Sequence, residues 1–514
     1  MSASLLAAMR SVARRVLPWS VRNFLIITYY DLKRCLSWRP SSGLRAFSIV
    51  NTTRPLARKI LSPPFRHFVA RSYFGLEAWL KGSLEKRFGQ RPIKLSAFRP
   101  ICKPARFANG PIVLINSALA SGGVERQIVN TLRALERHHR TDIGLLCERL
   151  GSSPDLDFFL PALAEFRGFV RNAMPLPEAE RTLRSLVSKA KFQQIMVSIA
   201  WIPSDIQAEI LRFAAEFLLL KPSVVHAWQD NVGVSSSYAA RIVGVPRILI
   251  STRNIRPTNF AYYRPYMELA YREIAECSSI VMVNNSAAGA KDYAQWLQVP
   301  FERFVVKRNG FDMTTVKRAN GDLVAALRTR LGIPEDVPIV GSIFRFYDEK
   351  QPFLWIKVAQ EVASRYPTAH FVVFGEGIMH SEAVAMARKA GLERTFHAPG
   401  NIDDVGLGLS LFDAFLLTSR AEGTPNVVLE ASALGIPVVS TDAGGTSEAI
   451  EHGVTGYVVS SSEPQAIANR VIDILSDSSW RSKAAANGPA FVASRFDLSR
   501  MLAETVQVYE RPRV

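Results

Sequence analysis

Cysteine is scarce in this 514-residue chain: Cys35, Cys102, Cys147 and Cys277 are widely spaced and form no Cys-x-x-Cys. That usage argues against a disulfide framework and suits a reducing compartment. The eight histidines show no metal-ligand spacing, and His138-His139, flanked by Arg137 and Arg140, reads as a solvated helix end. No Asp-x-Asp is suited to hold a divalent ion on a diphosphate, so neither a metal nor a cofactor is expected. Long apolar runs are also missing near the start. Phe24–Tyr30 is bounded by Arg22 and Asp31 and is far too short to span a bilayer. Arg10, Arg14 and Arg15 break the early apolar run and no clear cleavage site follows, which argues against a secretory signal. The Arg- and Ser-rich start, free of acids until Asp31, leaves a transit peptide open. There is no strong internal repeat, no low-complexity linker and no nucleic-acid-binding motif.

What is present is an alternation. From Pro111 onward, short apolar runs alternate with helical patterns: Ile112–Ile115, Ile143–Leu146, Val224–His226, Ile248–Ile250, Ile280–Val283, Ile339–Val340, Phe371–Phe374, Phe415–Leu417, Val438–Val439 and Tyr457–Val459. Runs of this kind, rather than polar–apolar alternations, suit parallel strands covered on both faces. Helical patterns such as Asp205–Leu220, Pro352–Tyr366 and Pro464–Leu475 lie between most of them. The βα alternation implies right-handed crossovers and doubly wound sheets. Ten runs are many for one sheet, so two Rossmann-like halves are expected, divided near Asn309-Gly310.

The stretch Ala421–Ile450 carries the chemistry. Glu430 is the only charged residue between Thr424 and Thr441, set among Val427, Val428, Leu429, Ala431, Ala433 and Leu434. The apolar run stops at Gly435-Ile436-Pro437, before the strand Val438-Val439-Ser440. A lone carboxylate on so apolar a helix is expected near the interior, where it needs hydrogen-bond donors. No Lys or Arg lies within a helical turn, so a donor from outside the segment is expected, such as a ligand's hydroxyl groups. The other reading is a solvated Glu on an exposed face.

The pattern Glu422-Gly423-x-Pro425-Asn426, Glu430-Ala431, Gly435-x-Pro437-Val438-Val439 and Gly444-Gly445 resembles the nucleotide-sugar site of retaining glycosyltransferases of family GT4. The resemblance covers roughly Pro111 to Tyr509 and implies the GT-B fold, α/β with two Rossmann-like doubly wound domains facing across a cleft. It implies that Glu422 and the segment that follows it, Gly423, Thr424, Pro425 and Asn426, hold the donor sugar, the segment through its free backbone amides. Glu430 would take the ribose hydroxyls. Gly122 and Gly123, opening a helix after Ile112–Ile115, resemble the family's loop under the donor diphosphate; an ordinary turn is the alternative. Arg345 and Lys350, five apart after a strand, resemble the family's cations on the leaving diphosphate, where negative charge builds as the glycosidic bond breaks. A solvated cluster with Asp348 and Glu349 is the alternative. Where many members carry a His near the donor sugar, this chain reads Ser251-Thr252-Arg253-Asn254, leaving Arg253 or His226 as candidates for a sugar site. Gly375-Glu376-Gly377 lacks a third glycine and supports a dinucleotide fingerprint poorly.

The net charge of +18 is concentrated at the start. Residues 1–110 hold 21 Lys and Arg against Asp31, Glu77 and Glu85 only, so the remaining chain is balanced. Trp19, Phe24, Trp38, Phe65 and Trp79 are among the aromatics interleaved with that charge, which suits an anionic membrane surface better than a nucleic acid. The expected organisation is a basic extension 1–110, an acceptor domain 111–310, a nucleotide-sugar domain 311–490, and a segment 491–514. In that last segment a helix with Leu498, Met501, Leu502, Thr505 and Tyr509 on one face crosses back to the acceptor domain. The implied activity is transfer of a sugar from a nucleotide donor, a UDP-sugar, to a lipid-linked glycan at the cytoplasmic face of the cell membrane. A nucleotide-sugar epimerase of similar architecture and a catalytically silent assembly factor are the alternatives.

Overall fold

The protein is described here by a computed structural model covering residues 94–137 and 142–510. The extension up to residue 93, with Cys35, and the His138-His139 pair lie outside the described residues. Two parallel sheets carry the chain. The first comprises β1 (Ile112–Asn116), β2 (Ile143–Cys147), β3 (Phe169–Asn172), β4 (Val224–Trp228), β5 (Arg247–Thr252), β6 (Ile280–Asn284) and β7 (Phe304–Val306), in the order β3-β2-β1-β4-β5-β6-β7. The second comprises β8 (Ile339–Ile343), β9 (His370–Phe374), β10 (Phe396–Gly400), β11 (Ala414–Leu417), β12 (Val438–Thr441) and β13 (Gly456–Val459), in the order β10-β9-β8-β11-β12-β13. Each sheet reverses direction beside its first strand: β1 pairs with β2 and β4, and β8 with β9 and β11. The crevice beyond the carboxyl ends at such a reversal is where open α/β sheets bind ligands.

The central strands β1, β2, β4 and β9 are buried at every position, which is why the sequence shows continuous apolar runs there. Three strands escaped the sequence reading. β3 is an edge strand whose last two residues are exposed, β7 is three residues long, and β10 is an edge strand carrying Pro399. Edge strands are half-solvated and tolerate proline, so the apolar signal weakens there.

Two boundaries drawn from the sequence move. Leu95, Phe98 and Phe107 are buried, and Ile101 and Cys102 donate backbone hydrogen bonds to Ile242 and Val243 at 2.9 and 3.0 Å. Residues 95–110 therefore belong to the folded body, not to the extension. The segment drawn from 491 begins inside a continuous helix, Ser478–Phe496, which contains Pro489. Leu95–Ser188 and Ile210–Val514 form one compact unit; residues 189–209, helical from Lys189 to Ile199 and again from Ser204, are not part of it. Among the described residues no helix is long and apolar enough to cross a membrane.

The final helix, Leu498–Glu510, buries Met501, Leu502, Thr505, Val508 and Tyr509 against the core of the first sheet. Its Tyr509 hydroxyl lies 2.7 Å from His226 Nδ1, and Ser251 Oγ lies 2.7 Å from His226 Nε2. Burial, reinforced by the charges of Lys307 and Arg253, holds the His226 imidazole well below its usual range. The unfolded chain binds a proton as pH falls through about 6.5 and the folded chain does not, so His226 costs stability below that pH. His226→Gln removes the titration but leaves one hydroxyl poorly partnered. It should be less stable than wild type near neutral pH, by about 1–3 kcal/mol, yet lose less stability on acidification. Denaturant titrations above and below about pH 6.5 test this; equal losses in the two proteins would show that His226 does not set the slope.

Candidate active site

The second sheet supplies the cations. After β8 the chain continues through Phe344-Arg345-Phe346, held by Phe344 N–H to Phe374 O at 3.0 Å and Phe346 N–H to Glu376 O at 2.9 Å. A Cβ on Gly375 would sit 2.0 Å from the Phe344 carbonyl, so this glycine serves close backbone pairing and not a dinucleotide. Arg345 is exposed, its guanidinium 5.5 Å from the Tyr347 ring centre. The turn Asp348–Lys350 ends at Gln351 in the left-handed region, φ 48°, which starts the helix Pro352–Ala363 and leaves Lys350 facing the loop after β11. There Lys350 pairs with Glu422, whose Oε1 also accepts from Ser419 Oγ at 2.7 Å. Lys350 and Glu422 thus meet at the carboxyl end of the second sheet, and Arg345 follows β8 at the same end, with its charge acting on Glu125.

Glu430 lies on the helix Asn426–Ala433 and is 3% exposed. The external donor expected from the sequence proves to be protein and not only a ligand: Arg126, on the helix Gly123–Arg137 of the first domain, forms an ion pair with it. A partner 304 residues away leaves no mark in local spacing. Without Arg126 the carboxylate would be buried and unpaired, at a cost of several kcal/mol.

The first sheet supplies the opposite wall. Gly123 begins the helix, and a Cβ there would lie 2.4 Å from Asn426 Nδ2. Asn426 Nδ2 donates to the Gly123 carbonyl at 3.1 Å, joining two of the expected donor-site segments. A Cβ on Gly122 would lie 2.2 Å from Glu125 Oε2, so this carboxylate occupies the glycine loop. The sequence reading passed over it. Burial raises Glu125 above the usual carboxylate range. Its own backbone N–H, Gln229 Nε2 at 2.9 Å, Asn116 Nδ2 at 3.4 Å and the Arg345 charge oppose that shift. Gln229 adopts φ 70°, an uncommon conformation for a non-glycine residue, directly after β4.

Arg253 follows β5 and is 8% exposed. Its Nη2 donates to Asn309 Oδ1, and its guanidinium lies 4.8 Å from the Trp228 ring centre. A Cβ on Gly423 would lie 2.3 Å from the Arg253 carbonyl, so the loop after β11 is pressed against this strand end. Thr424 Oγ1 donates to Asn285 O at 2.8 Å, and the Thr424 carbonyl accepts from Asn309 Nδ2 at 3.1 Å. Pro425 precedes the first helical turn. His226, the other sugar-site candidate, is fully buried, with both ring nitrogens engaged by Tyr509 and Ser251. Among the described residues no group of His, Cys, Asp or Glu is arranged to hold a metal ion. Cys102, Cys147 and Cys277 are free thiols.

Residues 325–491 match the family described as Glycosyl transferases group 1. The chain is 26% identical over 428 residues to the Vi polysaccharide biosynthesis protein VipC/TviE of Salmonella typhi, covering 79% of this chain and 72% of that one. It is 21% identical over 374 residues to the UDP-Gal:alpha-D-GlcNAc-diphosphoundecaprenol alpha-1,3-galactosyltransferase of Escherichia coli, covering 69% and 85%. Its fold is similar to that of Anabaena Alr3699/HepE in complex with UDP and glucose, with a TM-score of 0.60, 20% identity, and coverage of 79% of this chain and 100% of that one.

Arg126→Ala strands Glu430 as a buried anion and should destabilise the protein. Arg126 is one-third exposed, so water relaxes into the gap and the expected loss is about 1–3 kcal/mol. Adding Glu430→Gln should recover most of that loss, because the neutral amide no longer needs a cation. Denaturant midpoints of the two single variants and the double variant check this; simple additivity would mean that the pair contributes no coupling.

Proposed function

We infer that this chain, a glycosyltransferase with a group 1 domain in a GT-B fold, moves a sugar from a UDP-sugar to a hydroxyl of a lipid-linked glycan during polysaccharide biosynthesis, retaining the anomeric configuration. One observation carries the reading: two buried carboxylates, Glu422 and Glu430, each held by a single cation where the two sheets' carboxyl ends meet. A nucleotide sugar can replace these contacts group for group. Its diphosphate takes Lys350 and Arg345, its hexose hydroxyls take Glu422, and its ribose hydroxyls take Glu430.

In this reaction the bond between the anomeric carbon and the diphosphate oxygen breaks, and a bond from the acceptor oxygen forms on the same face. The departing diphosphate gathers charge, which Arg345 and Lys350 offset without reorganising. Arg345 can hold two phosphate oxygens while Lys350 acts as a point charge. The acceptor's proton passes to the departing diphosphate, so no separate protein base is required. Names of relatives support this reading: one acts on a diphosphoundecaprenol-linked sugar, and one solved neighbour binds UDP and glucose. The basic, aromatic-containing residues 1–94 hold the enzyme peripherally on the anionic cytoplasmic face of the membrane, where lipid-linked acceptors are concentrated.

Glu430→Ala should weaken UDP by about tenfold to a hundredfold, since hydrogen bonds to a charged group contribute roughly 1.5–3 kcal/mol each. Glu422→Ala should depress turnover while sparing UDP, because its partner is the sugar. Arg345→Ala should weaken UDP far more than uridine, which has no phosphates. Calorimetric titration with UDP and uridine checks all three, and unchanged UDP affinity in folded Glu430→Ala would remove the ribose assignment. Full-length protein should sediment with anionic vesicles at low salt and be released as salt rises, because exposed charges are screened over about 8 Å at physiological ionic strength. Salt-independent sedimentation would contradict the electrostatic attachment.

A further inference from the structure

We propose that the transferred sugar carries a carboxylate, as in a uronic acid, and that Arg253 is the residue that reads it. The proposal rests on the reading that Glu422–Asn426 holds the donor sugar.

Arg253 and Lys307 are both buried beside Trp228, their charged groups 4.8 and 5.2 Å from its ring centre. Neither has an acid in contact. Lys307 Nζ donates to Thr505 Oγ1 at 2.8 Å. Of the Arg253 nitrogens only Nη2 has a partner, the Asn309 side chain, and Nε is buried without one. Desolvation alone pulls Arg253 down to about 9, with no carboxylate opposing it, and Lys307 is pulled down to about 7. Elsewhere a buried ion has a counter-ion: Glu216 is buried, and the exposed Arg171 partners it. Arg171 makes a bidentate pair with Glu216, two bonds of 2.7 Å. A guanidinium left without an anion, with donors to spare, is suited to one that arrives with a ligand.

Position indicates which ligand. The Arg253 carbonyl abuts Gly423, and Arg253 reaches the donor loop through Asn309, whose Nδ2 donates to the Thr424 carbonyl at 3.1 Å and Asn426 Oδ1 at 2.8 Å. Asn285, whose Oδ1 is buried without a partner, stands against the same glycine. The diphosphate already has Arg345 and Lys350, on the other sheet. Arg253 lies on the sugar side, beside the loop assigned to the hexose. A neutral hexose would leave its free donors facing hydroxyl groups; a carboxylate satisfies them bidentately.

The test uses full-length protein and isothermal titration with UDP, UDP-glucose, UDP-galactose, UDP-glucuronate and UDP-galacturonate. At least one uronate should bind about tenfold to a hundredfold tighter than its neutral counterpart, the range for charge-assisted hydrogen bonds. Arg253→Gln should abolish that difference while leaving UDP affinity unchanged; retained UDP binding also shows that the variant is folded. Wild-type protein that binds both neutral sugars as tightly as the uronates overturns the proposal, whatever the variant does. Arg253→Gln weakening UDP as much as the uronates would also overturn it, placing Arg253 on the diphosphate. Failure of every UDP compound to bind would instead overturn the UDP-sugar reading and this proposal together.

Discussion

A carboxylate taken out of water must be given a cation or several N–H donors, and the catalytic crevice is organised around that requirement. Glu422 meets it through Lys350 and Ser419, within the second domain. Glu430 meets it across the crevice through Arg126. Both partners are single side chains, and both carboxylates lie on segments that begin at the end of β11. Under the proposed function, a polyhydroxyl, diphosphate-bearing molecule takes over these partners. An ion pair broken with nothing in its place would leave a buried charge, so the occupied and unoccupied states each need a full set of partners.

The junction between the domains follows the same economy of polar groups. Asn309 accepts from Arg253 and donates to the Thr424 carbonyl and Asn426. Gly310 exchanges two hydrogen bonds with the Gln127 side chain, at 2.9 and 2.7 Å, and packs against Leu498 and Met501. One short stretch of chain therefore touches the glycine-loop helix, the donor loop and the returning C-terminal helix. A side chain on Gly310 would collide with Met501 and Leu498 and displace that helix. Rotation of one domain on the other would have to pass through these contacts.

Charge without a counter-charge is the remaining theme. Other buried ions are partnered: Glu216 with the exposed Arg171, Asp230 with the hydroxyls of Tyr262, Tyr271 and Tyr293. Arg253 and Lys307 are held instead by the face of Trp228 and by neutral groups. The π-face of an indole attracts cations but does not neutralise them. Their placement beside the Glu422–Asn426 loop makes the local field positive there as well as at Arg345 and Lys350.

The sequence by itself determined the elements that depend on local pattern. Apolar runs marked ten of the thirteen strands, because strands covered on both faces have no polar side to interrupt them. The lone Glu430 was legible as a buried carboxylate, since a charge inside an apolar helix is visible without a structure. Edge strands such as Phe396–Gly400 were not legible, as their exposure and proline dilute the signal. Only the tertiary structure decided what faces what. It gave Glu430 its Arg126, placed Glu125 within the glycine loop, and enclosed His226 between Tyr509 and Ser251. It also left Arg253 without an acid. Those relations join residues up to 304 positions apart. Sequence periodicity reaches only one turn or one pleat, whereas the solvation of a charge depends on everything folded around it.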